Sequence, residues 1–190
     1  MKDQIVLRGS DFLLEDLVQI ARNKVGITIS HQAEARINKA RDLIDKWVKD
    51  GERIYGVTTG FGALSDVNIS YEDTKKLQKN ILFSHAAGIG KDLDNDVVRA
   101  MIALRVNDFC RGNSGLRLGT IEMLTTILNA GIVPVVPEKG SVGASGDLVP
   151  MAHLALVLIG KGEAFVDGRR MSGARALKKK SIKPLVLDSG

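Results

Sequence analysis

Two glycine-rich runs carry the residue types best suited to chemistry: Tyr55-Gly56-Val57-Thr58-Thr59-Gly60-Phe61-Gly62 and Gly140-Ser141-Val142-Gly143-Ala144-Ser145-Gly146-Asp147. Glycine permits positive φ and close backbone approach, so each run is either a tight turn or a place where main chain meets a ligand. A phosphate cradle would need Gly-Lys-Ser/Thr closing the loop. The second run closes on Gly146-Asp147 instead, a carboxylate suited to capping a helix and placed where an anion would sit. Val142 to Gly146 approximates the Gly-x-Ser-x-Gly nucleophile elbow, but that elbow joins a strand to a helix in an α/β sheet, and no such sheet is signalled. His153, with Leu154 and Leu156 beside it, reads as a satisfied core histidine rather than the base of a triad.

A third chemistry uses the backbone itself. If the amide nitrogen of Gly146 attacks the carbonyl carbon of Ala144, ring closure and dehydration of Ser145 give a five-membered ring with an exocyclic methylidene. Gly146 offers an unhindered nitrogen, Ala144 is small enough for closure, and Ser145 carries the hydroxyl that leaves as water. The product is an electrophile that no unmodified side chain supplies, an internally generated cofactor.

The elements that must position these loops are mostly helical, because apolar residues recur at intervals of three and four. Ser10 is expected to cap a helix carrying Leu13, Leu14, Leu17, Val18 and Ala21. Ser30 opens a second with Ala33, Ile37, Ala40, Ile44 and Trp47 on one stripe, ended by Gly51. Ser70 and Asp73 resemble a capping box for a helix that carries Leu77, Ile81 and Leu82 toward His85. A broad apolar face from Asp94 to about Arg111 predicts a buried helix. Another is expected from Leu116 to Asn129, with Gly131, Pro134 and Pro137 enforcing an extended connection. A last long helix begins near Asp147 and ends at Gly160. The β signal is one hairpin over Glu163–Met171, turning at Asp167-Gly168. The fold class is therefore mainly α with one short hairpin.

Composition bounds the rest. The 190 residues are 44% hydrophobic and 26% charged, enough apolar surface to exclude intrinsic disorder, and Cys110 is a lone cysteine, which excludes a disulfide scaffold. Much of the net charge of +5 sits in Arg175, Lys178, Lys179, Lys180 and Lys183. With aromatic residues at 4%, these lysines read as a solvated helix face rather than a nucleic-acid surface. No apolar run approaches the roughly 18 residues of a membrane span, and the N-terminus has no signal core, so no membrane partner and a cytoplasmic location are expected.

Four segments in order carry a family resemblance: Tyr55 to Gly62; Leu77-Gln78-Lys79-Asn80 through Ser84-His85-Ala86-Ala87-Gly88-Ile89-Gly90; Arg105-Val106-Asn107 to Arg111-Gly112-Asn113-Ser114-Gly115; and Gly140 to Leu148. Together they resemble the N-terminal part of the aromatic amino acid ammonia-lyases, and the match covers nearly the whole chain. The resemblance implies a helical N-terminal domain of the ammonia-lyase fold, cut before that fold's long central bundle. It implies 4-methylideneimidazol-5-one (MIO) built from Ala144, Ser145 and Gly146, with no external cofactor and no metal. Tyr55 matches the base that removes the substrate's β-proton; a phenol ordinarily titrates near pH 10, so the role demands a lowered value or a concerted transfer. His85 matches a substrate-contacting histidine, Phe61 and Gly62 would line the pocket beside Tyr55, and the pair Ser84-His85 is that of the histidine-specific branch.

The implied reaction is deamination of L-histidine to trans-urocanate and ammonia in a homotetramer. Tyrosine or phenylalanine ammonia-lyases and aminomutases of the family stay open, because some of them also carry Ser-His. A non-catalytic helical assembly module is the reading from another class. Family members are considerably longer than 190 residues, so the chain, taken as one domain over residues 1–190, is expected to be a fragment. Such a fragment should be inactive alone and prone to self-association through uncovered apolar faces.

Overall fold

In the computed structural model, residues 4–59, 71–141 and 148–187 are described. Strand β1 (Ile5–Leu7) leads to helix α1 (Leu14–Ala21), which returns the chain to β2 (Ile27–Ile29). The two strands pair in parallel with Ile5 opposite Ile27. Ser10 does not cap α1: its hydroxyl donates to the Asp11 carboxylate at 3.1 Å, and Asp11 turns the chain with φ 54°. The helix starts four residues later, where the Leu13 N–H donates to Asp16. Helix α2 (His31–Asp50) follows the sequence closely: the Ser30 hydroxyl accepts from Ala33 N–H at 3.2 Å, and Gly51 closes the helix with φ 70°.

Helix α3 (Tyr71–His85) ends at the histidine of interest, and β3 (Ile89–Asp92) begins four residues beyond it. Its expected cap at Ser70 lies outside the described residues. Helices α4 (Asn95–Phe109) and α5 (Leu118–Asn129) form the centre, with Val98, Ile102 and Val106 of α4 buried with Ile121, Ile127 and Leu128 of α5. The burial expected of α4 holds on this face, while Val97 and Leu104 stand exposed on the other. Past α5 the chain is extended as the prolines require, giving β4 (Ile132–Pro134) and β5 (Pro137–Lys139). Helix α6 (Leu148–Leu158) then leads to β6 (Glu163–Val166), β7 (Arg169–Ser172) and α7 (Gly173–Lys179).

The β6–β7 hairpin turns at Asp167 (φ 52°) and Gly168 (φ 74°), the two positive angles of a type I′ turn. The single expected hairpin is nonetheless an undercount, because it extends through β4 into a three-stranded antiparallel sheet and two further pairs exist, β1–β2 and β3–β5. Those strands are three or four residues long, too short for alternation to register. The basic cluster sits on and after α7, where Lys179 and Lys180 pair with the Asp167 carboxylate of the hairpin turn. Two open apolar depressions of about 400 Å³ each meet at Met151, one reaching Leu93 and Leu104, the other Phe109 and Leu148. Among the described residues no helix is long and apolar enough to cross a membrane.

Candidate active site

Ser84 and His85 lie in the last turn of α3 and are organised by each other. His85 Nδ1 is 2.9 Å from the Ile81 carbonyl and 3.0 Å from Ser84 Oγ, and Ser84 Oγ is 3.0 Å from the same carbonyl. A carbonyl only accepts, so Nδ1 carries the proton and the serine hydroxyl donates to Ile81 O. The consequence is chemical: with Nδ1–H committed, Nε2 is the nitrogen that a neutral ring offers as an acceptor to a ligand. A half-buried histidine at a helix end can thus present one defined acceptor.

The flanks of the Ala144-Ser145-Gly146 segment meet just beyond this histidine. Strand β3 follows His85 and pairs antiparallel with β5, which precedes the segment, placing Ile89 opposite Lys139. Gly140 has φ 151°, and a β-carbon built on it would stand 2.6 Å from Val149 Cγ1 and 3.2 Å from Gly88 Cα. Only glycine tolerates that approach, so chain entering the segment at Gly140 packs against both Gly88 and Val149, the second residue of the helix that follows the segment. His153, one helical turn past Val149, accepts the Gly88 N–H on Nε2 at 3.0 Å. It is a satisfied histidine, as its apolar neighbours suggested, and burial pushes its imidazole below the ordinary value.

Tyr55 stands at the start of a separate turn and is 64% exposed. Two threonines organise that turn locally. Thr58 Oγ1 accepts from Ile54 N–H at 2.9 Å and donates to Glu52 O at 2.6 Å, and Thr59 Oγ1 accepts from Gly56 N–H at 3.3 Å. Thr59 itself is buried at 3% exposure, anchoring the turn and leaving the tyrosine ring on its outer side. Phe61, Gly62, Ala144, Ser145 and Gly146 lie outside the described residues, as does the expected cap Asp147. Among the described residues no group of three His, Cys, Asp or Glu side chains is placed to hold a metal ion.

Gly88 and Gly140 fall within the motif segments, but their contact with each other and the bond from Gly88 to His153 were not legible in the sequence. The available signal was the spacing of Val149 and His153, four apart on one face of the helix that follows the loop. Nothing in that spacing names the backbone they grip.

A mainly helical domain in which the chain flanking an Ala-Ser-Gly segment meets the residues that follow a Ser-His helix end defines a class, and sequence comparison agrees with it. Residues 12–190 match the family described as aromatic amino acid lyase, and the chain belongs to that family. Among its relatives, the histidine ammonia-lyase of Caldanaerobacter subterraneus subsp. tengcongensis is 48% identical over 186 residues, covering 98% of this chain and 37% of the relative. That of Alkaliphilus oremlandii is 46% identical with the same coverage. Of solved structures, the histidine ammonia-lyase of Trypanosoma cruzi superposes with a TM-score of 0.90 at 35% identity, covering 98% of this chain and 36% of that one. The ergothionase of Treponema denticola reaches 0.94 at 30% identity, covering 98% and 37%. The chain thus spans a little over a third of the length of the curated relatives it matches.

Proposed function

We propose that residues 1–190 form the ring-bearing N-terminal domain of a cytoplasmic, homotetrameric ammonia-lyase that converts L-histidine to trans-urocanate and ammonia. The observation that carries this reading is the packing of Gly140 on Val149 and on Gly88, which brings the chain before and after the Ala144-Ser145-Gly146 segment together and sets its entry beside the residues that follow His85. Ring formation needs the Gly146 nitrogen pressed onto the Ala144 carbonyl carbon, and a segment with its ends pinned together favours such compression. The residue types and the closed ends both fit 4-methylideneimidazol-5-one. That group supplies an electrophile toward the electron-rich substrate. The similarity to histidine ammonia-lyases supports histidine as the amino acid.

This chain's own residues then have distinct tasks. Tyr55 accepts the proton from the substrate's β-carbon; the Cα–N bond breaks, ammonia leaves, and the electron pair of the C–H bond becomes the new Cα–Cβ double bond. Ser84 fixes His85, whose Nε2 lone pair receives the N–H of the substrate imidazole. Phe61 and Gly62 line the pocket beside Tyr55. The exposure of Tyr55 supports a pocket whose remaining walls come from elsewhere in the protein or its other subunits. The isolated 190-residue chain is accordingly inactive, because missing positioning groups forfeit orders of magnitude in rate.

Intact-mass analysis of the whole protein tests the reading. A deficit of two waters in the peptide spanning Ala144–Gly146, abolished by Ser145→Ala together with urocanate formation, is expected. Assay against L-histidine, L-tyrosine, L-phenylalanine and ergothioneine separates the substrates. An unmodified mass in the whole protein would instead support a helical assembly module without catalysis, and urocanate made by the 190-residue chain alone would refute its inactivity.

A further inference from the structure

The chain leaving α3 is tied down one amide at a time. Ala86 N–H donates to Leu82 O at 3.1 Å, Ala87 N–H to His85 O at 2.9 Å, and Gly88 N–H to His153 Nε2 at 3.0 Å. The first two bonds are local, whereas the third crosses 65 residues to reach α6, the helix that follows the Ala144-Ser145-Gly146 segment. On α6, Val149 and His153 occupy one face, so one helical turn grips Gly140 through Val149 and Gly88 through His153. A β-carbon at Gly88 would stand 3.0 Å from His153 Nε2 and from Pro137 Cβ and Cγ, which shows how closely the backbone is drawn onto the ring. We infer that His153 is a positioning residue for the reaction: by accepting the Gly88 N–H it fixes the His85 end of α3 relative to the start of α6, and so sets the distance between the substrate-holding histidine and the ring-forming segment.

This deepens the ammonia-lyase reading and rests on it. The role belongs to an acceptor and not merely to a bulky side chain, since an amide N–H can be held only by a lone pair. Glutamine at 153 carries a carbonyl oxygen able to reach the Nε2 position, while leucine keeps bulk without an acceptor. A misplacement of about 1 Å in a group that positions substrate costs on the order of a hundredfold in rate.

The test uses the whole protein and three variants. His153→Leu is expected to lower kcat/KM for L-histidine by about ten- to a hundredfold. It retains the two-water deficit and accelerates amide exchange in the peptide containing Gly88. His153→Gln is expected to restore both exchange protection and kcat/KM to within about threefold of the parent. Gly88→Ala approaches the same tie from its other side and should reproduce the kinetic loss with His153 intact, which keeps the question decidable if the leucine variant fails to fold. Unchanged Gly88 exchange in His153→Leu, or altered exchange with unchanged kcat/KM, overturns the role. Failure of glutamine to rescue assigns the residue to packing alone and overturns it too. A parent protein lacking the two-water deficit overturns the lyase reading and this role with it, and is told apart from the other outcomes by mass alone.

Discussion

Asn129, the last residue of α5, grips Ile27 of β2 through both backbone polar groups: the Ile27 N–H donates to Asn129 Oδ1 at 2.8 Å, and Asn129 Nδ2 donates to Ile27 O at 2.8 Å. The carboxamide takes the place of a neighbouring strand. On its other edge β2 pairs with β1, where Ile5 N–H donates to Gly26 O and Ser30 N–H to Leu7 O. Ile27 is thereby held on the edge of β2 away from β1, and it is fully buried.

Asn129→Ala is expected to destabilise the chain by about 1–3 kcal/mol, because two buried backbone groups lose their partners at once. Asn129→Asp retains an acceptor for the Ile27 N–H but offers Ile27 O no donor, so it should also be less stable than the parent. Urea unfolding measures both, and an unchanged midpoint for Asn129→Ala would contradict the assignment.

Arg99 performs a similar task with a charge. The residue is 4% exposed, and its guanidinium donates to Ile20 O at 3.0 and 2.8 Å and to Leu128 O at 3.0 Å, near the C-terminal ends of α1 and α5. A cation there meets the negative ends of two helix dipoles, which offsets part of its desolvation. Replacement by methionine removes the guanidinium donor from Ile20 O, while Leu128 O keeps the Gly131 N–H, and should cost about 1–3 kcal/mol. Lysine, with one compact ammonium in place of the fork, should not reach both carbonyls. Equilibrium denaturation of the two variants is the check; lysine equal to arginine would show that the fork is dispensable.

Cys110 should be chemically silent in the folded chain. It is fully buried, and burial pushes its thiol up to about 11 against a smaller opposing effect of Arg36. The thiolate is the reactive form, so at pH 8 a disulfide reagent is expected to label Cys110 only after denaturation. Rapid stoichiometric labelling of the native chain would contradict this.

His153 makes stability depend on pH in one direction. Burial holds its folded value below the ordinary 6.5, so the unfolded chain binds the proton more readily. Its contribution is complete above pH 6.5 and is lost as pH falls below that toward and through the folded value; the protonated ring also cannot accept from Gly88. Relative to His153→Gln, the parent should therefore lose stability on going from pH 7.5 to pH 5, measured as Tm at each pH. Parallel curves would remove His153 as the source.

Legibility differed by element for physical reasons. Helix α2 could be bounded from its ends inward, because a serine cap and a left-handed glycine are local devices visible in a few residues. The Asp167-Gly168 turn was equally local. Ser10 misled because Asp11 takes a left-handed conformation that diverts the hydroxyl, a choice the spacing does not encode. Strands β1, β2, β3 and β5 escaped because each gains its pairing from chain that is distant or separated by a helix.

The candidate site divides along the same line. The amino-acid sequence alone determined the family, through ordered segments from Tyr55 to Leu148, and it nominated Tyr55, His85 and Ala144-Ser145-Gly146 as candidates for chemistry, because those properties reside in side-chain type and short spacing. Only the tertiary structure decided that Gly140 packs between Val149 and Gly88, that His153 holds the Gly88 N–H, and that Asn129 pairs with Ile27, 102 residues away. These are contacts between a side chain and a backbone that looks alike at every position, so no residue type marks the partner until folding brings it within hydrogen-bonding distance.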